Sequence, residues 1–503
     1  MIIDWILQLL TYNPESPFLF IHLGFWVFLG IVLLVNALLY NKIVLRNSFL
    51  YFASLFFYYK TGGLFFLLLI ISSLIGYFGG KIIEKQRGKI GKKITITIFI
   101  SLFLMILGYF KYAPFLCQLL TDLLNKQIIP FTLGGVANDI IGGKKFSEDF
   151  LLPIGVSFFT FQGISYLVDV YRGKIASIKN VIDFGFYVSF FPQVVSGPIV
   201  RAWEFIPQLY NKVAITEREL WQAVLLILGG VFKKIVVSDF IASNLVDRVF
   251  ASPESYTGFE NLLGVIGYTI QIYADFSGYT DIAIRVALLI GFKLPMNFNS
   301  PYKATSITDF WHRWHISLSL WLRDYLYIPL GGNRNGKFRQ GINLLITMLL
   351  GGLWHGASIK FIIWGGLHGV ALISNKLFNE IEELFKFSLP KWIGWVLTFI
   401  FINLTWILFR ANDMECAQSI LFRITNAFSP ETIIPILTVY KQTLIIIALG
   451  YSLHWISKKR EDQFVELFIK TPAIIKVFSI VIFIVLVYQF TSTSVQPFIY
   501  FKF

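Results

Sequence analysis

The stretch "GINLLITMLLGGLWHGAS" (341–358) decides what kind of molecule this chain makes. It leaves a basic loop, continues as an apolar run, and then sets a histidine, His355, among Gly351, Gly352 and Gly356. A polar group without a partner in hydrocarbon costs several kcal/mol, so an imidazole placed there needs a neighbour or a task. If the run is helical, His355 lies roughly 20 Å beyond Gly341, deep in a bilayer. The glycines allow close helix approach or leave room beside the ring.

The rest of the chain supports a membrane reading of this stretch. Of its 503 residues, 56% are hydrophobic, 17% aromatic and 14% charged. A soluble domain carries about 25% charged residues. Apolar runs near the length of a bilayer crossing recur at 18–39, 94–110, 341–354 and 473–490. The expected fold is all-α: a polytopic transmembrane bundle of about eleven spans forming one membrane domain over 1–503, with lipid as its surroundings. The run "FLYFASLFFYY" (49–59) is too short to cross and is expected to lie at the interface or re-enter.

Lys and Arg number 43 against 29 Asp and Glu, yet this excess does not point to nucleic acid. It sits in short loops, "KIIEKQRGKIGKK" (81–93), "GGNRNGKFRQG" (331–341) and "ISKKR" (456–460), as positive-inside topology requires of cytoplasmic segments. With those loops inside, the tail 491–503 ends outside the cell. Cys117 and Cys416 make no disulfide framework. The start, "MIIDWILQLLTYNPESP", has an acid at Asp4 and no basic n-region, so the first helix is expected to act as its own anchor.

Segment 305–328, "TSITDFWHRWHISLSLWLRDYLYI", reads as an amphipathic helix lying on the membrane or dipping into the bundle. Thr305, Ser306 and Thr308 offer N-caps, and Trp311, His315, Leu318 and Leu322 share one face. Six histidines are present. His22 and His454 fall near span ends, where amphipathic rings often sit. His368 fits a helix–helix hydrogen bond. His312 and His315 are three apart and face different surroundings. No HExxH, no GxSxG elbow and no phosphate-binding loop accompanies them, so neither a metal nor a triad hydrolase is expected. What remains is a deep histidine, His355, kept neutral by burial and suited to general-base work, with His315 as a second ring. Asp281 and Arg285, at i and i+4, read as an ion pair holding the bundle together.

At these residues the chain resembles the membrane-bound O-acyltransferase family, in its bacterial branch of alginate O-acetyltransferases. The blocks are "FFPQVVSGPIVR" (190–201), "YADFSGYTDIAI" (273–284), "GFKLPMNFNSPY" (291–302), "DFWHRWHISLSLWLRDYLYIPLGGNR" (309–334) and "GGLWHGAS" (351–358). They run in family order over about 150–370. The resemblance implies a helical bundle around a central funnel, lined by dipping helices and located in a bacterial cytoplasmic membrane. It gives His355 the place of the family's near-invariant histidine and His315 that of the second, more variable position.

It further implies a thioester donor, expected to be acetyl-CoA and not permanently bound, entering from a basic face where Arg313, Arg323, Arg334 and Lys337 attract its phosphates. The acceptor is a polysaccharide outside the cell, reached through a separate extracytoplasmic SGNH-type acetyltransferase partner. The aromatic tail "PFIYFKF" (497–503) resembles C-terminal ends in which a tyrosine relays the acyl group, which marks Tyr500; membrane anchoring is the alternative. Two rival functions stand beside this one: D-alanyl transfer from a carrier protein to a cell-surface polymer, and a transporter or flippase.

Overall fold

In lipid each backbone polar group must be bonded within its own segment, which leaves helices as the natural spanning element. In the computed structural model, residues 11–13, 17–134, 152–195, 197–212, 214–491 and 498–499 are described, and they form helices and turns with no strand among them. The chain divides into two compact units. One comprises Met1–Val195, Ile199–Lys212 and Gly356–Ser358, the other Ser196–Pro198, Val213–His355 and Ile359–Phe503.

The first unit is built on α1 (Leu23–Leu38), α2 (Ile43–Gly62), α3 (Phe66–Lys85), α4 (Lys89–Leu107), α5 (Val156–Tyr171) and α6 (Val181–Ser189). Here the short length expected of the segment 49–59 is corrected. Those residues form the middle of the 20-residue α2, which with α3 makes one apolar helical stretch of 43 residues, Ile43–Lys85. Polar residues at the start of α2 do not end the helix because they find partners. Arg46 Nη2 donates to the Leu209 carbonyl at 2.8 Å, and Asn47 Nδ2 to Asp183 Oδ1 at 3.2 Å.

The second unit begins with α7 (Glu217–Phe232), opened by a reciprocal cap between Thr216 and Glu219. It continues as a π-helical stretch over Lys233–Asp239. Helix α8 (Gly258–Ile290) runs for 33 residues. The same type of cap, Thr257 with Glu260, starts it, and Gly291, at φ 105°, ends it. Then come α9 (Ile307–Arg313), α10 (Ile316–Leu322), α11 (Gly336–His355), α12 (Ile359–Phe385), α13 (Lys391–Arg410), α14 (Lys441–His454) and α15 (Ala473–Tyr488).

Among the described residues, four helical stretches are long and apolar enough to cross a bilayer: Ile43–Lys85, Lys89–Leu124, Ile359–Phe385 and Lys391–Arg410. A fifth arises if Pro430–Val439 and Lys441–His454, bent by 83°, count as one span. These four or five do not confirm the expected count of about eleven. Helices α1 and α15 have 16 residues each, about 24 Å at the usual rise, short of a hydrocarbon core of about 30 Å. Helix α8 is long enough but carries Asp275, Asp281 and Arg285.

Those charges also bring a correction. Asp281 does form an ion pair, but its partner is Lys233, at 2.7 Å, rather than Arg285. The π-helical stretch after α7 turns two successive lysines toward α8, and Lys234 reaches Asp275, also at 2.7 Å. Gly230 and Gly278 make this approach possible. A Cβ on Gly230 would lie 2.7 Å from the Gly278 carbonyl oxygen, so α7 and α8 touch backbone to backbone.

Candidate active site

The single amphipathic helix expected over 305–328 is broken in two at the residue that matters. Ser306 caps α9, its hydroxyl accepting from Asp309 N–H. The helix stops after Arg313, and His315 adopts the left-handed conformation at φ 42°, ψ 55° before α10 begins. A non-glycine residue in that region carries backbone strain and persists only where its surroundings hold it.

Asn297 does the holding, from the extended segment that follows α8. Ile316 N–H donates to the Asn297 carbonyl at 3.0 Å. The Asn297 side-chain oxygen gathers Ser317 N–H at 3.2 Å, the Ser317 hydroxyl at 2.9 Å and His315 Nδ1 at 3.1 Å. A backbone N–H can only donate, so the Asn297 atom facing Ser317 is the oxygen. An amide oxygen can only accept, so His315 carries its hydrogen on Nδ1 and keeps a lone pair on Nε2. Sequence reasoning placed Asn297 inside a family block without giving it a role. No spacing marks it, because its partners lie 18 and 20 positions away.

His355 ends α11. Its place is set by the contact of α11 with α12, which two glycines permit. A Cβ on Gly352 would fall 2.1 Å from the Phe361 carbonyl oxygen, and one on Gly365 would fall 2.2 Å from that of Met348. Of the two roles left open for the glycine run, close helix approach is the one Gly352 plays. The backbone contact brings the His355 ring against Trp364 of α12 at 5.2 Å, Phe409 of α13 at 5.3 Å and its neighbour Trp354 at 5.0 Å, centroid to centroid. His315 also meets it, at 6.4 Å.

The two histidines singled out from sequence are thus neighbours, 0% and 2% exposed. Trp354, Trp364 and Phe409 pack around the His355 ring. A second layer of aromatic rings fixes these: Trp364 stacks on Trp406 at 5.9 Å and 17°, and Trp406 meets Trp314 at 5.0 Å. His368 takes the structural part expected of it, its Nδ1 accepting from Trp311 Nε1 at 3.3 Å. His454 is buried as well, and its Nε2 accepts from Tyr302 N–H at 3.1 Å. His312 is exposed. Among the described residues no group of three or more His, Cys, Asp or Glu is arranged to hold a metal ion.

The four basic residues expected at a donor entrance lie on separate elements. Arg313 ends α9 and pairs with Asp309 at 2.7 Å; Arg323 follows α10 and pairs with Asp324 at 2.7 Å. Lys337, in the first turn of α11, pairs with Glu380 at 2.9 Å, and Arg334 sits exposed in the loop before it. Carboxylates therefore share three of these charges. Tyr500 lies outside the described residues.

An all-helical chain with buried, paired charges and two histidines facing each other in an aromatic cage has the makings of a membrane-embedded enzyme. Residues 170–416 match the model of MBOAT, the membrane-bound O-acyltransferase family. A "Probable alginate O-acetylase" of Azotobacter vinelandii is 38% identical over 405 residues, 80% of this chain and 76% of that protein. The "Peptidoglycan O-acetyltransferase" of Helicobacter pylori is 34% identical, over 82% of this chain and 79% of that one. The "Teichoic acid D-alanyltransferase" of Bacillus subtilis is 28% identical, over 52% and 69%. The chain belongs to the membrane-bound O-acyltransferase family, and it is an O-acyltransferase.

Proposed function

We propose that this protein moves an acetyl group from a cytoplasmic thioester, acetyl-CoA, across a bacterial cytoplasmic membrane for O-acetylation of an extracytoplasmic polysaccharide. The observation that carries the reading is the meeting of His315 and His355 in the core, with ring centroids 6.4 Å apart. The names of the alginate and peptidoglycan relatives support the acetyl group and the glycan.

In this reading a hydroxyl enters the aromatic cage and attacks the thioester carbonyl. His355 takes the hydroxyl proton as the C–O bond forms. Collapse of the tetrahedral intermediate breaks the C–S bond, and the proton passes to the departing thiolate. General-base help of this kind contributes about 10²–10⁴-fold. His315, with a hydrogen on Nδ1 and a lone pair on Nε2, cannot donate from Nε2 to an oxyanion while neutral. Stabilisation of that charge then falls to a backbone N–H, and His315 holds the donor, its Nε2 accepting from an amide N–H of the coenzyme A arm.

Tyr500 serves in this scheme as the first acceptor. Its phenol oxygen takes the acetyl group, coenzyme A leaves as the thiol, and an SGNH-type partner outside the cell transfers the acetyl group from the tyrosine ester to the glycan. Arg313, Arg323, Arg334 and Lys337 attract the donor phosphates as it arrives. Purified protein in liposomes, supplied with acetyl-CoA labelled in the acetyl group, tests the scheme. Label on the C-terminal peptide that is lost in Tyr500→Phe supports it. Consumption of donor unaffected by His355→Ala sinks it. The relative at 28% identity favours one other donor, a D-alanyl carrier thioester, and the same assay run with that donor separates the two.

A further inference from the structure

Phe498 and Ile499 are described, and they are buried in the second unit, 0% and 8% exposed. Phe498 lies on Tyr279 at 4.7 Å and on Phe276 at 5.7 Å, two rings of α8. Phe276 in turn meets the His315 ring edge-on at 4.7 Å. Phe498 is thus one aromatic ring away from the second histidine.

What fixes it there is a carboxylate. Asp275, 3% exposed in the middle of α8, divides its two oxygens. Oδ1 receives Lys234 Nζ at 2.7 Å, and Oδ2 accepts from the backbone N–H of Ile499 at 2.9 Å. Lys234 is buried too, bonds Asp239 at 2.8 Å, and lies over the Tyr279 ring that Phe498 covers. A buried carboxylate is costly unless both oxygens are satisfied, so this one rewards the arrival of a backbone donor at its second oxygen. The bond does not depend on which side chain residue 499 carries, because the donor is main chain.

We propose that Asp275, held by Lys234, is a positioning residue that docks Phe498 and Ile499 in the core near His315. Docking places the segment for acyl transfer, a consequence that rests on the function proposed above. The clasp itself does not need that function to exist, and it can be tested without it.

The reporter is Ile499→Cys in the full-length chain with Cys117→Ser and Cys416→Ser, labelled by a membrane-permeant maleimide in detergent. The reporter chain is expected to label slowly, because residue 499 is 8% exposed. Adding Asp275→Asn, close to isosteric but uncharged, is expected to speed labelling at least tenfold. Adding Asp281→Asn instead, which strips the neighbouring ion pair on the same helix, is expected to leave the rate unchanged. Equal rates in the reporter chain and Asp275→Asn overturn the proposal, as does equal acceleration by Asp281→Asn, which would mean general loosening. Where acetyl transfer is measurable, Asp275→Asn and deletion of 498–503 are expected to cost no more together than the deletion alone. Additive losses overturn action through the segment.

Discussion

His315 and His355 reach the same aromatic cage by opposite means. His315 is gripped by polarity: it stands in a strained left-handed conformation at a helix break, tied by hydrogen bonds to Asn297. His355 is gripped by shape: it ends a regular helix whose approach to α12 is set by the missing side chains of Gly352 and Gly365. A polar clamp fixes one ring's tautomer and direction. A glycine contact fixes the other ring's distance from its neighbours. The two rings are thus held by different devices, and each device can be attacked residue by residue.

The largest effect is expected at the reactive ring. His355→Ala should lower acetyl transfer about 10²–10⁴-fold while the protein still purifies folded. Turnover of labelled acetyl-CoA, beside a thermal melt, checks this. A rate close to that of the parent would place the base elsewhere. Gly352→Ala follows. Its methyl group would lie 2.1 Å from a backbone oxygen, so α11 and α12 must separate. Overpacking of this kind costs about 1–3 kcal/mol, and here it also displaces His355. We expect a lower melting temperature and impaired turnover together. Loss of stability with full activity would show that the helix contact does not place the ring.

The polar clamp breaks differently. Asn297→Ala removes the shared acceptor of His315 and Ser317, and each buried hydrogen bond left unmade costs about 1–3 kcal/mol. Asn297→Asp keeps an acceptor in place. The alanine variant is expected to lose both stability and turnover, the aspartate variant to retain more of the stability. If the two variants melt alike, the hydrogen bonds at Asn297 do not hold the turn.

The contrast also explains what could be read from sequence. The glycines beside His355 and the apolar run before it are local, so membrane residence and a deep histidine follow from neighbours in the chain. The partner of His315 is not local. Trp311, His315, Leu318 and Leu322 fit one helical face, and nothing in that periodicity signals a break between them. The break comes from Asn297, whose bonds cross the turn from another segment. The Lys233–Asp281 pair was hidden for the same reason. Arg285 stands at the ideal spacing from Asp281, but a π-helical stretch aims a lysine 48 positions away at it. Local spacing predicts helix faces well and ion-pair partners poorly, because a buried charge takes whichever opposite charge the packing brings.

The smallest effect is expected at His312, and it sharpens the comparison most economically. His312 and His315 share the motif "WHRWH" and differ by three positions, yet the break at 315 sends one ring into the cage and leaves the other exposed. Surface substitutions away from caps and ion pairs usually change stability by less than about 0.5 kcal/mol. His312→Ala is therefore expected to leave both the melting temperature and the acetyl transfer rate near those of the parent. His315→Ala, measured beside it, should lower turnover, because the cage loses a ring that accepts through Nε2. If His312→Ala instead proves the more damaging of the two, the left-handed turn at His315 does not select the working histidine, and the polar clamp loses its part in the site.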